Sequence, residues 1–134
     1  LLLRVFVGVA FVFHGSGKLA EIPQFAAEFG VPEPLAALAA YTQVIGAMLL
    51  IPGILTPLAA GSIGGTMAVA VMKLMERGES FVNPHGHSWE ASGFYLLASI
   101  VLVLWGPGAY SVDAWLWRGR LPIPAAWVRV AAVL

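Results

Sequence analysis

The chain contains no cysteine. That excludes a disulfide framework, a thiolate metal site and dithiol redox chemistry. Charge is scarce as well. Only 10% of residues are Asp, Glu, Lys or Arg, where a typical soluble domain has roughly 25%. Seven basic residues balance seven acidic ones, and no basic patch interleaved with aromatics occurs, so nucleic acid is not an expected partner. No Ser-His-Asp ordering, phosphate-binding loop or dinucleotide fingerprint is found either.

Apolar residues fill the space. They make up 60% of the 134 positions, and the mean hydropathy is +0.87. One domain of this size cannot build a water-facing surface from so little polar material. The composition therefore predicts an integral membrane protein, with the lipid bilayer as its first partner. Arg4 followed by an apolar run has some likeness to a secretory leader, but the segment is read as a retained helix.

The order of apolar runs predicts an all-α membrane protein, a four-helix bundle with a short interfacial helix between the first two spans. The spans are expected at Leu1–Leu19, Leu35–Ile51, Leu58–Met75 and Trp89–Trp105. Between the first two, residues 20–34 put Ile22, Phe25, Ala26 and Phe29 on one side and Gln24 and Glu28 on the other. That pattern suits a helix lying on the membrane surface. Pro34 fits the first turn of the second span, and Pro52-Gly53 ends it. Ala60, Gly61, Gly64 and Gly65 allow close helix packing in the third. Ser111 is a candidate N-cap for a further short helix. Residues 1–117 form the four-span domain, and residues 118–134 are read as an interfacial tail.

Four spans place both termini on one face. That face carries Arg4, Arg118, Arg120 and Arg129, and the other carries Lys18, Lys73 and Arg77 with six glutamates. The basic excess favours cytoplasmic termini.

The first span is unusual. On a helix, Arg4, Val7, Gly8, Phe11, His14, Gly15 and Lys18 share one stripe against an apolar background. Such a stripe should face a protein interior, because ionisable groups are costly in lipid. On the side opposite the termini, His14, Lys18, Lys73, His85, His87 and Glu90 should converge. His14, Lys18 and Glu90 are the candidate catalytic residues, with His14, Trp89 and Lys73 as cofactor contacts. A histidine there could carry protons beside a quinone head group. Each residue also has a plain structural role open to it. Lys18 can snorkel or pair with Glu90, and Glu90 suits a helix N-terminus. Gln43 can hydrogen-bond across the bundle, and Arg4 can pair with Asp113. His85 and His87 with Glu90 are the residues a metal would take, but two histidines one residue apart in a glycine loop are a sparse ligand set. Haem is not expected, since only His14 lies plainly on a span.

The runs LLLRVFVGVAFVFHGSGKL, VIGAMLLIPGILTPLAA and WEASGFYLLASIVLVLWGPGAYSVDAWL together resemble the DoxX family. The ordered set is Arg4, His14-Gly15 and Lys18, then Gly53 to Thr56, then Trp89-Glu90, then Gly106-Pro107-Gly108 through Tyr110-Ser111 to Asp113. The resemblance implies a small bacterial or archaeal inner-membrane protein of four helices. Its family is named for a subunit associated with a thiosulfate:quinone oxidoreductase, and its members are linked to redox and oxidative-stress systems. Members often carry Glu where this chain has Gln43.

Two functions follow as expectations. One is a membrane subunit of a redox system, supporting quinone-linked electron transfer or docking a partner oxidoreductase. The other is a non-catalytic anchor that assembles a partner complex or a homo-oligomer; a small-solute or proton carrier is a further alternative. The quinone reading expects a lipid-facing cleft between the first and fourth spans, ending at His14. The anchor reading expects a packed bundle with an exposed Gly61/Gly65 face.

Overall fold

A computed structural model describes residues 1–84 and 86–117. Its helices are α1 (Leu2–Ala20), α2 (Ile22–Phe29), α3 (Glu33–Leu50), α4 (Thr56–Glu76), α5 (Glu90–Trp105) and α6 (Val112–Trp117). Among the described residues there is no strand. The expected tail, 118–134, lies outside the described residues.

Three helices, α1, α3 and α4, are long and apolar enough to cross a membrane. The 19 residues of α1 span about 28 Å at 1.5 Å per residue, close to the hydrocarbon thickness of roughly 30 Å. The 16-residue α5 is shorter. Local sequence sets the breaks. Proline occupies the first turn of α2, α3 and α4, where its missing N–H costs nothing. Gly30 closes α2 in the left-handed conformation (φ 61°).

The helices pack α1 on α3, α3 on α4, α4 on α5, and α5 lightly back on α1. Small residues let them approach. A Cβ on Gly8 would lie 2.6 Å from Ile51, and one on Gly15 would lie 2.6 Å from Val44, so both glycines hold α1 against α3. Gly64 does the same for α4 against Ser99 of α5. The core is Val7, Phe11, Ala47, Leu50, Ala60, Ile63, Met67, Ala98 and Leu102. Phe6, Phe13, Leu38, Met48, Leu58, Met72 and Leu97 all stand more than half exposed. So continuous an apolar exterior would be an aggregation surface in water and is ordinary in lipid. The protein is a membrane protein.

The stripe on α1 is largely buried as read: Arg4, Val7, Gly8, Phe11 and Gly15 face inward. His14 departs from it and is exposed. Helix α5 also turns a polar residue outward. Glu90, Phe94 and Leu97 face outward, while Ala98, Ser99 and Leu102 are buried. Apolarity alone does not say which side of such a helix faces protein, because lipid accepts the larger side chains and packing selects the smaller ones.

Candidate functional site

The polar residues of the helices form two groups, at opposite ends of α1. The first group is built around Arg4, which is 2% exposed. Its guanidinium donates to the carbonyls of Pro107 and Tyr110, the latter at 2.8 Å. Asp113, also buried, accepts from the backbone N–H of Leu55 and of Thr56, both at 2.8 Å. Its carboxylate therefore caps α4 from another part of the chain, where the helix dipole favours an anion. The backbone completes the junction: Val112 N–H donates to Pro52 O at 3.1 Å and Asp113 N–H to Gly53 O at 2.9 Å. Ser111 Oγ accepts from Ala114 N–H at 3.0 Å, as an N-cap of α6 does. Gly53 has φ 76°, and a Cβ there would lie 2.5 Å from an Arg4 nitrogen. The glycine is required by both conformation and space. Most of the residues that carry the DoxX resemblance meet in this junction.

The second group lies at the other end of α1. Lys18 Nζ donates to Gln43 Oε1 at 3.2 Å. Gln43 Nε2 donates to Thr66 Oγ1 at 3.1 Å, and Thr66 Oγ1 donates to Ile63 O at 2.8 Å. Gln43 is 1% exposed. The expected bond across the helices is thus made twice, to α1 and to α4. Lys18 also stands over the Phe25 ring, 4.7 Å from its centre, and Arg77 stands 5.6 Å from the centre of Phe29. These cation–π contacts tie α2 to the ends of α1 and α4, and the Phe25–Phe29 ring pair lies within α2 itself.

Beneath α2 is a cleft of about 280 Å³. Phe25, Phe29, Leu35, Leu38 and Val69 make its apolar walls, and Lys18, Thr42, Gln43, Ser62 and Thr66 are its polar members. Its volume lies near the lower end of the range for small-molecule sites. The hydroxyl of Thr42 makes no hydrogen bond among the described residues, whereas Ser62 donates to Ala59 O.

The expected convergence is only partly present. Lys18 turns inward, but toward Gln43 and not Glu90. His14 is exposed, with its ring edge-on to Phe11 at 5.9 Å. Glu90 is exposed at the start of α5. Lys73 pairs with Glu76 at 3.0 Å, one turn along its own helix. Trp89 stacks against Phe81 at 4.6 Å. His87 is exposed, and the pair with His85 cannot be described because His85 lies outside the described residues. No cluster of three metal-binding side chains occurs among the described residues. The cleft opens beside α2, α3 and α4, not between α1 and α5 at His14. Sequence reasoning missed Gln43 and Phe25 as partners of Lys18, and Thr66 as the partner of Gln43. The signal was Gln43 itself, which in an apolar helix needs a polar neighbour on each side of its amide.

Comparison with known proteins identifies the family. The DoxX family matches residues 1–75. A protein of Haemophilus influenzae, described as uncharacterized, is 30% identical over 114 residues, covering 83% of this chain and 85% of the relative. No solved structure matches. The match extends across α1 to α4, and with it the chain belongs to the DoxX family.

Proposed function

We propose that this chain is the membrane subunit of a quinone-linked redox system. In this reading α1, α3, α4 and α5 form a four-span bundle in the bacterial or archaeal cytoplasmic membrane, with α2 at the interface and both termini cytoplasmic. The observation that carries it is the Lys18 cleft. An apolar cavity near 280 Å³ accommodates roughly nine water-sized units at about 30 Å³ each, which suits a substituted ring. Its ammonium has N–H bonds to spare and fits a ring carbonyl, which is an acceptor. A quinone, when bound, takes up two electrons and two protons, the electrons coming from a partner oxidoreductase.

The chain's own part is to bind and orient. Lys18 holds one ring oxygen, Phe25 and Phe29 cover the ring, and Thr42 offers a second donor. His14, exposed on another side of α1, Lys73 and Trp89 stay outside this contact set. The test is binding of a short-chain quinone to the protein in nanodiscs. Lys18→Met should weaken binding about tenfold, the scale set by losing one charge-assisted hydrogen bond. Equal binding by wild type and K18M would reject the site.

A scaffold role is the second reading, favoured by one observation. Gly61 and Gly65 of α4 are both exposed, and a Cβ on Gly65 would meet nothing within 4 Å. A partner helix could close on that face. Since Gly65 also lines the cleft, Gly65→Leu should disrupt complex assembly under this reading and quinone binding under the first.

A further inference from the structure

The direction of the hydrogen bonds around Gln43 restricts what the cleft can hold. Thr66 gives its hydroxyl hydrogen to Ile63 O, so toward Gln43 it can only accept. The Gln43 –NH₂ must therefore face Thr66, and its oxygen must face Lys18. The amide is committed at both ends and is neutral. The Lys18 ammonium is met by one amide oxygen and one aromatic face. Among the described residues no carboxylate lies within 4 Å of Nζ; Glu28, whose charge reaches it, is exposed on α2. A cation beside an apolar cleft, hydrogen-bonded only to a neutral partner, lacks an anion in direct contact.

We infer that the cleft selects a single-chain amphiphile with a monoanionic oxygen head group over its neutral counterpart, and that Gln43 sets this preference by leaving Lys18 uncompensated. The inference deepens the proposed site by naming the charge of its ligand. Two sources share this chemistry, a fatty-acid carboxylate and an ionised hydroxyquinone. In either case the oxyanion meets Lys18 Nζ, and the apolar part lies between Phe25, Phe29, Leu35 and Val69. A carboxylate at position 43 would occupy the place of the amide oxygen, 3.2 Å from Nζ, and would satisfy the cation from within.

The experiment uses the full chain in phosphatidylcholine vesicles. Spin-labelled stearate and its methyl ester are compared by the motionally restricted fraction of each spectrum. Wild type should associate with the acid about tenfold more strongly than with the ester, the ratio given by about 1.4 kcal/mol. Gln43→Glu and Lys18→Met should bring the ratio to about one, as the charge argument requires. Lys18→Arg, which keeps the cation, should retain the preference, and all variants are checked for native elution and helicity. A ratio near one in wild type, or an unchanged ratio in Q43E, overturns the inference. A parallel arm adds an ionised 2-hydroxy-1,4-naphthoquinone and its neutral 2-methoxy analogue as competitors. Displacement of the labelled stearate by the first and not the second assigns the oxyanion to the quinone source; displacement only by unlabelled stearate assigns it to the fatty acid. A neutral short-chain quinone is measured separately. If it binds while the acid/ester ratio is one, selectivity fails and the quinone site stands. If it does not bind while the ratio is high, the reverse holds.

Discussion

Replacing Asp113 should be among the most damaging substitutions in the described chain. Its carboxylate accepts two backbone N–H bonds at 2.8 Å, from Leu55 and Thr56. Thr56 is fully buried, so in Asp113→Ala its amide has no access to a replacement from water, while the half-exposed Leu55 suffers less. Hydrogen bonds to a charged group contribute about 1.5–3 kcal/mol each. Removing the anion also takes a negative charge away from the junction that holds buried Arg4, although the two side chains make no direct ion pair. These contributions overlap, and about 3–4 kcal/mol is a consistent figure for D113A. Asp113→Asn keeps one acceptor but turns an –NH₂ toward a backbone N–H, so about 2–3 kcal/mol is expected. Far-UV circular dichroism during an SDS titration in mixed micelles gives the stability difference. A double cycle with Arg4→Met should show a coupling of about 1–3 kcal/mol. D113A within about 1 kcal/mol of wild type would refute the assignment of this carboxylate as the cap that joins α4 to α6.

Gly53→Ala should destabilise by about 2–4 kcal/mol in the same titration, from left-handed backbone strain and overlap with Arg4 and Ser111. On α4, Gly64→Ala meets Ser99 at 3.0 Å and should cost about 1–2 kcal/mol, while Gly65→Ala meets nothing and should stay within about 0.5 kcal/mol. His14→Ala should leave short-chain quinone affinity in nanodiscs unchanged, since His14 does not line the cleft; a large loss would return the site to the end of α1 near Phe11.

Three of the expected spans, α1, α3 and α4, were legible because lipid imposes a simple rule: a long apolar run with few charges must be a helix. The breaks were legible because proline and glycine act locally, as at Pro34, Gly30 and Gly53. Arg4 and Asp113 share one junction but not the expected pair: the guanidinium takes the carbonyls of Pro107 and Tyr110, and the carboxylate takes the N–H groups of Leu55 and Thr56. The facing of His14 and Glu90 was not legible. In a soluble helix the polar side is the outer one, and in a membrane helix near its end the rule weakens, because the head-group region accepts polar groups that the hydrocarbon does not. Lys18 and His14 lie four residues apart on one helix, yet only Lys18 has the reach to find Gln43. Length of side chain, more than position on the stripe, decided which of the two joined the interior.

The two ends of α1 differ in how completely their cations are met, and that difference bears on where function lies. Arg4 and Lys18 are separated by about 21 Å along the helix at 1.5 Å per residue. At the first end, two nitrogens of the guanidinium are bound to carbonyls while Nε is buried without a hydrogen bond, Asp113 stands nearby without an ion pair, and backbone bonds lock the turn around them. Such a junction has no room for a ligand, and its glycine excludes even a methyl group. It holds the segment from Pro107 to Asp113 against the hairpin between α3 and α4. At the second end, the ammonium has one amide oxygen and one ring face beside an open cleft. An ionisable group costs free energy near lipid and persists only with compensation, whether internal or brought by a ligand. The motif-rich end therefore accounts for the fold, and the poorly compensated end is where binding should be sought.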